Sequence, residues 1–211
     1  KKTENENTAK KTKTTKTIHG IEKQTTKETA DQIQQGIAKE ILRFHVLANS
    51  DSEEDQKLKL EVKDRLVDYM KDILDGAEDV KETKKRITEN RETICLVAEQ
   101  EIQKQGYTYP VSVNLEKCYF PMKTYGDCTF PAGTYEALRV CIGKAKGRNW
   151  WCVLYPGLCF ADSVNVIVPD EKKQELKNIL TEEEYESLFD WREDDYQIRS
   201  GFLRLWRKLF A

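Results

Sequence analysis

Apolar residues recur along the chain with two periods, and each period predicts one type of element. Alternation over residues 42–48 predicts a half-buried strand. Spacings of three and four residues predict a short helix over 30–40 and two long helices over 52–74 and 79–105. Ser52 is the predicted N-cap of the first long helix. The two long helices are expected to pack antiparallel across a short loop.

The period returns to two after the second long helix. Alternating residues predict strands over 109–119 and 135–142, which we expect to form an antiparallel pair. Residues 163–168 are typical of an apolar strand, and the spacing over 171–189 predicts one or two helices. This order predicts an α+β fold: a small, mostly antiparallel sheet packed against two long antiparallel helices, with additional C-terminal helices.

Residues 1–30 do not carry either pattern. They hold eight Lys and four Glu and almost no apolar residues, so they cannot bury enough surface to offset the entropy of ordering them. They are therefore predicted to be a flexible tether, and residues 31–211 a single α+β domain. The net charge of −2 argues against nucleic-acid binding. Because the first residue is Lys, a signal peptide or anchor before it stays open.

Six cysteines permit disulfides but do not fix their pairing: Cys95, Cys118, Cys128, Cys141, Cys152 and Cys159. We predict a disulfide between Cys152 and Cys159, because the six residues between them include a proline and a glycine and can fold back. A further pair among Cys118, Cys128 and Cys141 depends on strand register and stays open. The cysteine spacings fit no zinc site, so neither a metal nor a cofactor is predicted.

No motif for catalysis occurs in the chain: there is no nucleophile elbow, no H-E-x-x-H and no phosphate loop. His45 lies on the strand face opposite Phe44 and Val46, and would act as a base only if the fold brought a Cys or Ser to it. We expect a structural role for it. The acidic cluster 53–55 lies in the first turn of a helix, where negative charge stabilises the macrodipole. The sequence predicts no catalytic residue and a protein that is not an enzyme.

The block from Asn149 to Phe160 holds the strongest candidates for an interaction site. Two adjacent Trp residues cannot both face the core of an extended segment, so one is expected to turn toward the surface or another element. A small disulfide loop would hold them in place for binding. The alternative, that both are buried under loops, stays open. The candidate partner-binding residues are Arg148, Trp150, Trp151 and Tyr155.

Residues 202–210 form an amphipathic segment, with Phe202, Trp206 and Phe210 on its apolar side. This segment is a candidate membrane or partner helix. Docking on its own domain, lying on an anionic membrane surface and inserting into a partner groove all stay open.

Three separated blocks resemble the stage II sporulation protein R family: Arg43–Ser52 followed by Glu54–Gln56, then Phe130–Val140, then Asn149–Phe160. They occur in the family's order over about residues 41–162, and none of them is a generic motif. The resemblance implies a signalling protein made in the forespore and secreted into the space between the forespore and mother-cell membranes. It also implies a partner, the membrane-embedded aspartic protease of the mother cell that processes pro-sigma-E. The family brings no catalytic or ligand residues to this sequence.

One alternative function remains after the resemblance. The exposed Trp residues or the basic C-terminal helix would also suit a module that binds the cell wall or a membrane surface.

Overall fold

The computed structural model describes residues 30–160 and 167–189. The predicted tether up to residue 29, the amphipathic segment 202–210 and most of the predicted strand 163–168 lie outside the described residues. Ile167 and Val168 are described and are not in a strand. In chain order the elements are α1 (30–40), β1 (Leu42–Leu47), α2 (Glu53–Leu74), α3 (Val80–Glu89), α4 (Arg91–Lys104), β2 (Val111–Phe120), β3 (Lys123–Tyr125), β4 (Cys128–Phe130), β5 (Gly133–Ile142), β6 (Asn149–Tyr155), a 3-10 helix (Leu158–Phe160), α5 (Asp170–Ile179) and α6 (Glu182–Ser187).

Four of the strands form one mixed sheet in the order β2-β5-β1-β6. The predicted antiparallel pair is β2 with β5, while β1 runs parallel to β5 and antiparallel to β6. Strands β3 and β4 form a separate hairpin whose turn contains Gly126 at φ 58. The prediction of a single α+β domain with a small sheet is confirmed.

Helices α2, α3 and α4 cover one face of the sheet. Phe44 and Val46 of β1 lie beside Leu138 and Val140 of β5 on this face, and all four side chains are fully buried. They pack against a stripe of buried residues on α2 that recur every four positions, as an amphipathic helix requires: Leu58, Val62, Leu66, Met70 and Leu74.

The second face of the sheet is also covered, which the sequence did not predict. Ile37 of α1, Phe130 of β4 and Leu176 of α5 pack there in a second core cluster. As a result Arg43 and His45, which point to this face, are 0% and 3% exposed. Strand β1 is therefore buried on both faces, and the expectation of a half-buried strand is wrong.

The second long helix predicted over 79–105 is two helices, because Asn90 interrupts it. The backbone N–H of Asn90 donates to the Arg86 carbonyl, closing α3, and the side-chain Nδ2 donates to the same oxygen at 2.8 Å. Tyr69 on α2 donates from its hydroxyl to Asn90 Oδ1 at 3.2 Å. Asn competes well for backbone hydrogen bonds at helix ends, so it stops α3 and begins α4.

Strand β6 was expected as part of a loop at the end of the sheet. Instead Asn149–Tyr155 pairs with the whole of β1. Its residues Cys152, Val153 and Leu154 are buried in succession, so both faces are apolar and the alternation that marks a strand disappears. Within the described ranges, no helix is both long enough and apolar enough to cross a membrane.

Candidate interaction site

Two loops at one end of the sheet are hydrogen-bonded to each other, and we call this contact the loop brace. The first loop, residues 48–52, joins β1 to α2, and the second, residues 143–148, joins β5 to β6. Four backbone N–H groups of the second loop donate to the first: Lys144 to Asn49 Oδ1 (3.0 Å), Lys146 to the Asn49 carbonyl (3.2 Å), Gly147 to the Ala48 carbonyl (2.9 Å) and Arg148 to Asp51 Oδ1 (2.6 Å). The brace fixes the point at which β6 begins.

The second loop requires glycine at two positions in this contact. Gly143 has φ +57, a conformation that side chains with a Cβ rarely adopt. At Gly147 an added Cβ would lie 2.1 Å from the Ser50 carbonyl oxygen, which belongs to the backbone and cannot move aside easily. These two positions explain why the second loop carries glycine at each end.

Asp55 stabilises the first loop through hydrogen bonds of its backbone N–H and its carboxylate. Its backbone N–H donates to the Ser52 hydroxyl, which confirms Ser52 as the N-cap of α2. Its carboxylate is 5% exposed and accepts from Asn49 Nδ2 at 2.8 Å and from the Ser50 hydroxyl at 2.5 Å.

The sequence analysis assigned Asp55 to the acidic cluster in the first turn of the helix. It did not predict that the Asp55 carboxylate holds the first loop. Burial raises the pKa of the Asp55 carboxyl, but the hydrogen bonds from Ser50, Asn49 and Tyr109 outweigh that effect, so the pKa lies below its ordinary value of 3.8. The available signal was the aspartate three residues after Ser52, where a capping box usually has a glutamate.

Trp150 lies on the sheet face that carries α2. Its ring meets Phe44 edge-on, with centroids 5.6 Å apart, and the Lys63 ammonium lies 5.1 Å from the ring centroid. The side chain is half-buried, so part of the indole faces solvent. A nearby lysine, Lys59, is buried and donates to the Arg148 carbonyl at 3.1 Å, which ties α2 to the start of β6.

Trp151 lies on the opposite face of the sheet. It stacks on His45, with centroids 5.0 Å apart and an interplanar angle of 14°, and meets Phe120 edge-on at 4.7 Å. Trp151 is also half-buried. The two Trp residues therefore point to opposite faces of the sheet, and each packs against another element while keeping part of its ring exposed. They therefore do not form one flat platform for stacking a sugar or a base.

Arg148 and Tyr155 lie at the two ends of β6. The Arg148 side chain is 73% exposed and forms an ion pair with Asp51 at 3.6 Å. The Tyr155 hydroxyl donates to the Glu78 carbonyl at 2.9 Å and the ring lines a cavity of about 580 Å³ between the end of α2 and α5. Because a strand rises about 3.3 Å per residue, Tyr155 is about 17 Å along the strand from Trp150. Arg148 and Trp150 thus lie two residues apart at one end of β6, and Tyr155 lies at the other end.

His45 contacts the thiol of Cys118. A contact between His45 and a Cys or Ser is the condition under which the sequence analysis would allow a thiol or hydroxyl nucleophile. The Nε2 of His45 lies 3.4 Å from the Cys118 sulfur, because the end of β2 reaches across the second face of the sheet. Burial, and then the cation of Arg139, lower the His45 pKa to about 4. Burial, and then the carboxylate of Glu116, raise the Cys118 pKa to about 11. At neutral pH the pair is therefore a neutral thiol beside a neutral imidazole, and activation requires a thiolate.

We expect the His45 imidazole to titrate near pH 4 in the folded protein and near its ordinary pKa of 6.5 in denaturant. Because the folded-state pKa is the lower one, protonation favours the unfolded chain, and stability should fall as the pH drops from about 6.5 to 4. Imidazole proton NMR checks this, and Cys118 should react slowly with iodoacetamide at pH 7. A His45 pKa of 6.5 or more together with rapid alkylation of Cys118 would restore the thiol-enzyme alternative.

Arg43 is fully buried on the same face as His45 and lies among four aromatic rings. The distances from its guanidinium carbon to the ring centroids are 4.5 Å for Phe120, 5.2 Å for Phe130, 5.1 Å for Tyr135 and 5.7 Å for Tyr125. Its Nη2 donates to the Tyr125 hydroxyl at 3.0 Å. Among the described residues, Nε and Nη1 of Arg43 have no hydrogen-bond acceptor. The rings are thus the main environment of this charge.

The six cysteines are all thiols in the structure. In the β2-β5 register Cys118 is opposite Tyr135 and Cys141 is opposite Ser112, six residues further along. That separation, about 20 Å, excludes a Cys118–Cys141 disulfide, for which the Cα atoms must be within about 7 Å. The pairing of Cys152 with Cys159 stays a prediction. So does a bond to Cys128, which is buried in β4.

The described part of the chain contains no cluster of three or more His, Cys, Asp or Glu side chains that would hold a metal ion. The candidate membrane or partner helix with Phe202, Trp206 and Phe210 lies outside the described residues. The site that can be described is therefore the loop brace, together with the two Trp residues and the arginine that it positions.

The fold and this site define a single α+β domain with a braced strand, β6, that carries a half-buried Trp on each face of the sheet. Residues 38–165 match the stage II sporulation protein R family, and this range includes the whole sheet and the brace. The chain belongs to that family and is a stage II sporulation protein.

A relative of known name supports the same assignment. The chain is 33% identical to stage II sporulation protein R of Bacillus subtilis (strain 168) over 174 residues, which are 80% of this chain and 76% of that protein. No solved structure matches the chain.

Proposed function

We propose that this chain is a secreted sporulation signal that activates the membrane-embedded aspartic protease of the mother cell, the enzyme that processes pro-sigma-E. It acts from the space between the forespore and mother-cell membranes and is not itself an enzyme. The observation that carries the proposal is the family match across residues 38–165. The electrostatics of His45 and Cys118 support it, because the one nucleophile–base contact described above lacks an activated thiol.

The contact with the protease is assigned to the surface formed by Arg148, Trp150 and Lys63, which we call the Trp150 patch. Trp and Arg are the residue types that contribute most to protein–protein binding. The brace holds the backbone N–H of Arg148 and Lys59 of α2 holds its carbonyl, so little entropy is lost when the patch is bound. Arg148 is 73% exposed beside this half-buried indole and is paired with Asp51, so the patch suits a partner surface that has an apolar group and a polar group able to compete for the guanidinium.

Activation requires more than binding. The patch must bind the active state of the protease more tightly than the inactive state, since equal affinity for both shifts no equilibrium. A rigid patch meets this requirement better than a mobile one, because it can reject the protease conformation to which it does not fit.

The test is a co-expression assay in which this chain, the protease and pro-sigma-E are produced together and processing is followed by immunoblot. Arg148→Glu combined with Trp150→Ala should reduce processing by about tenfold or more, because both changes fall at the centre of the patch. The purified variant is checked by circular dichroism and thermal melting. Tyr119→Ala is the matched control, since Tyr119 is a 65% exposed aromatic residue outside the patch.

Two outcomes would count against the proposal, and they are distinguishable. A folded double variant that processes pro-sigma-E as well as the unaltered chain would show that the Trp150 patch is not the contact. If the unaltered chain fails to increase processing in the same cells, the activating role itself is wrong.

A further inference from the structure

Two thiols meet at the outer edge of β6, where the chain turns into the 3-10 helix. The Cys159 thiol donates to the Val153 carbonyl oxygen at 3.0 Å, and the Cys152 thiol lies 3.7 Å from the same oxygen. The two sulfur atoms therefore lie close to one and the same carbonyl oxygen. The fold has therefore brought together two sulfur atoms that are seven positions apart in sequence.

The other four cysteines have no such neighbour among the described contacts. Cys95 on α4 lies near Glu99 and the Val111 carbonyl, and Cys118 contacts His45. Cys128 is buried in β4 and Cys141 lies opposite Ser112. Within the described residues, Cys152 and Cys159 are thus the only two cysteines whose sulfur atoms share a hydrogen-bond acceptor.

We propose that Cys152 and Cys159 form an intramolecular disulfide when the chain folds in an oxidising environment. The two thiols lose two protons and two electrons as the sulfur–sulfur bond forms. The electrons pass to a disulfide, either a small one such as glutathione disulfide or that of a thiol oxidoreductase, which is reduced to two thiols. The bond joins the middle of β6 to the 3-10 helix, and so adds a covalent link to the strand that carries both Trp residues.

The thiol environment indicates when the bond forms. Burial, and then the contact with Cys152, raise the pKa of the Cys159 thiol well above its ordinary value of 9.0. Cys152 is itself 4% exposed. Because the thiolate is the attacking species, oxidation of the folded protein is slow. The bond forms during folding, before α2 and the 3-10 helix close over the two sulfurs.

The experiment uses the full chain alone, so it is independent of the proposed partner. The reduced protein is unfolded, refolded with a mixture of reduced and oxidised glutathione, alkylated and digested with trypsin without reduction. Both cysteines lie on one tryptic peptide, residues 149–172. We expect that peptide to be unalkylated and about 2 Da lighter than its reduced form. We expect the peptides of the other four cysteines to carry the alkyl group.

Thermal melting gives a second readout. The closed loop is short, so the oxidised chain should melt about 5–10 °C above the reduced chain. Cys95→Ser is the matched control and should keep this difference, while Cys152→Ser and Cys159→Ser should abolish it. An alkylated 149–172 peptide after oxidative refolding, or a difference that survives in Cys159→Ser, would overturn the proposal.

Discussion

Replacing Asp55 with alanine is expected to lower the free energy of unfolding by about 3 kcal/mol. The change removes the acceptor for Asn49 and Ser50 and leaves their donors unpaired in a partly buried loop. Asp55→Asn should lower it by less, since the amide oxygen keeps part of the acceptor capacity. Urea unfolding followed by circular dichroism measures both. Glu54→Ala is the control, because Glu54 is exposed in the same helical turn.

The same residue predicts a pH dependence. The folded-state pKa of Asp55 lies below 3.8, so its stabilising effect is present above that pH and is lost as the pH falls through the folded-state value. The wild-type chain should therefore lose stability in acid more steeply than Asp55→Asn does. If Asp55→Ala unfolded within about 0.5 kcal/mol of the unaltered chain, the brace would not depend on this carboxylate.

The sequence predicted those elements in which apolar and polar residues are segregated onto two different faces. The strand expected over 42–48 is β1 at Leu42–Leu47, and the helix expected over 52–74 is α2 at Glu53–Leu74. The antiparallel pairing of β2 with β5 was also correct. In each case one face of the element is more apolar than the other, and the period of the apolar residues is the direct consequence.

The features that the sequence did not predict depend on contacts between residues that are far apart in the sequence. Strand β6 has no alternation because both of its faces are buried, and its partner β1 lies about a hundred residues earlier. The brace joins Asn49 to Lys144 across 95 positions, and neither loop predicts the other. The buried guanidinium of Arg43 was invisible for the same reason: its aromatic neighbours come from β2, β3, β4 and β5.

The candidate site was predicted in part. That Trp150 and Trp151 turn in different directions follows from the geometry of any extended segment, so sequence reasoning could find it. Which of them stays accessible depends on the layers that pack against each face. Both are half-buried, and Arg148 lies close to Trp150 because the brace places it there. The physics of the site therefore supports one contact patch rather than a surface running along all of β6.

Replacing Arg43 with alanine is expected to destabilise the fold most, by about 4 kcal/mol. Arg43 is the largest of the fully buried side chains, and its removal leaves a cavity lined by Phe120, Phe130 and Tyr135. Arg43→Met should lower the free energy of unfolding by only about 1.5 kcal/mol, since its thioether fills most of the volume and suits aromatic neighbours. Arg43→Lys should be worse than Met, because a compact ammonium is more strongly hydrated and does not stack.

Guanidinium chloride unfolding of the three variants measures this order. Arg148→Ala is the control, as an arginine that is 73% exposed, and should change the free energy of unfolding by less than about 0.5 kcal/mol. The order of the free energies of unfolding distinguishes two explanations of how the protein stabilises the buried Arg43 guanidinium, which has one hydroxyl as its hydrogen-bond partner. If packing dominates, Met retains most of the stability. If Met loses as much as Ala while Lys is tolerated, the attraction between the cation and the rings is what holds this face of the sheet together.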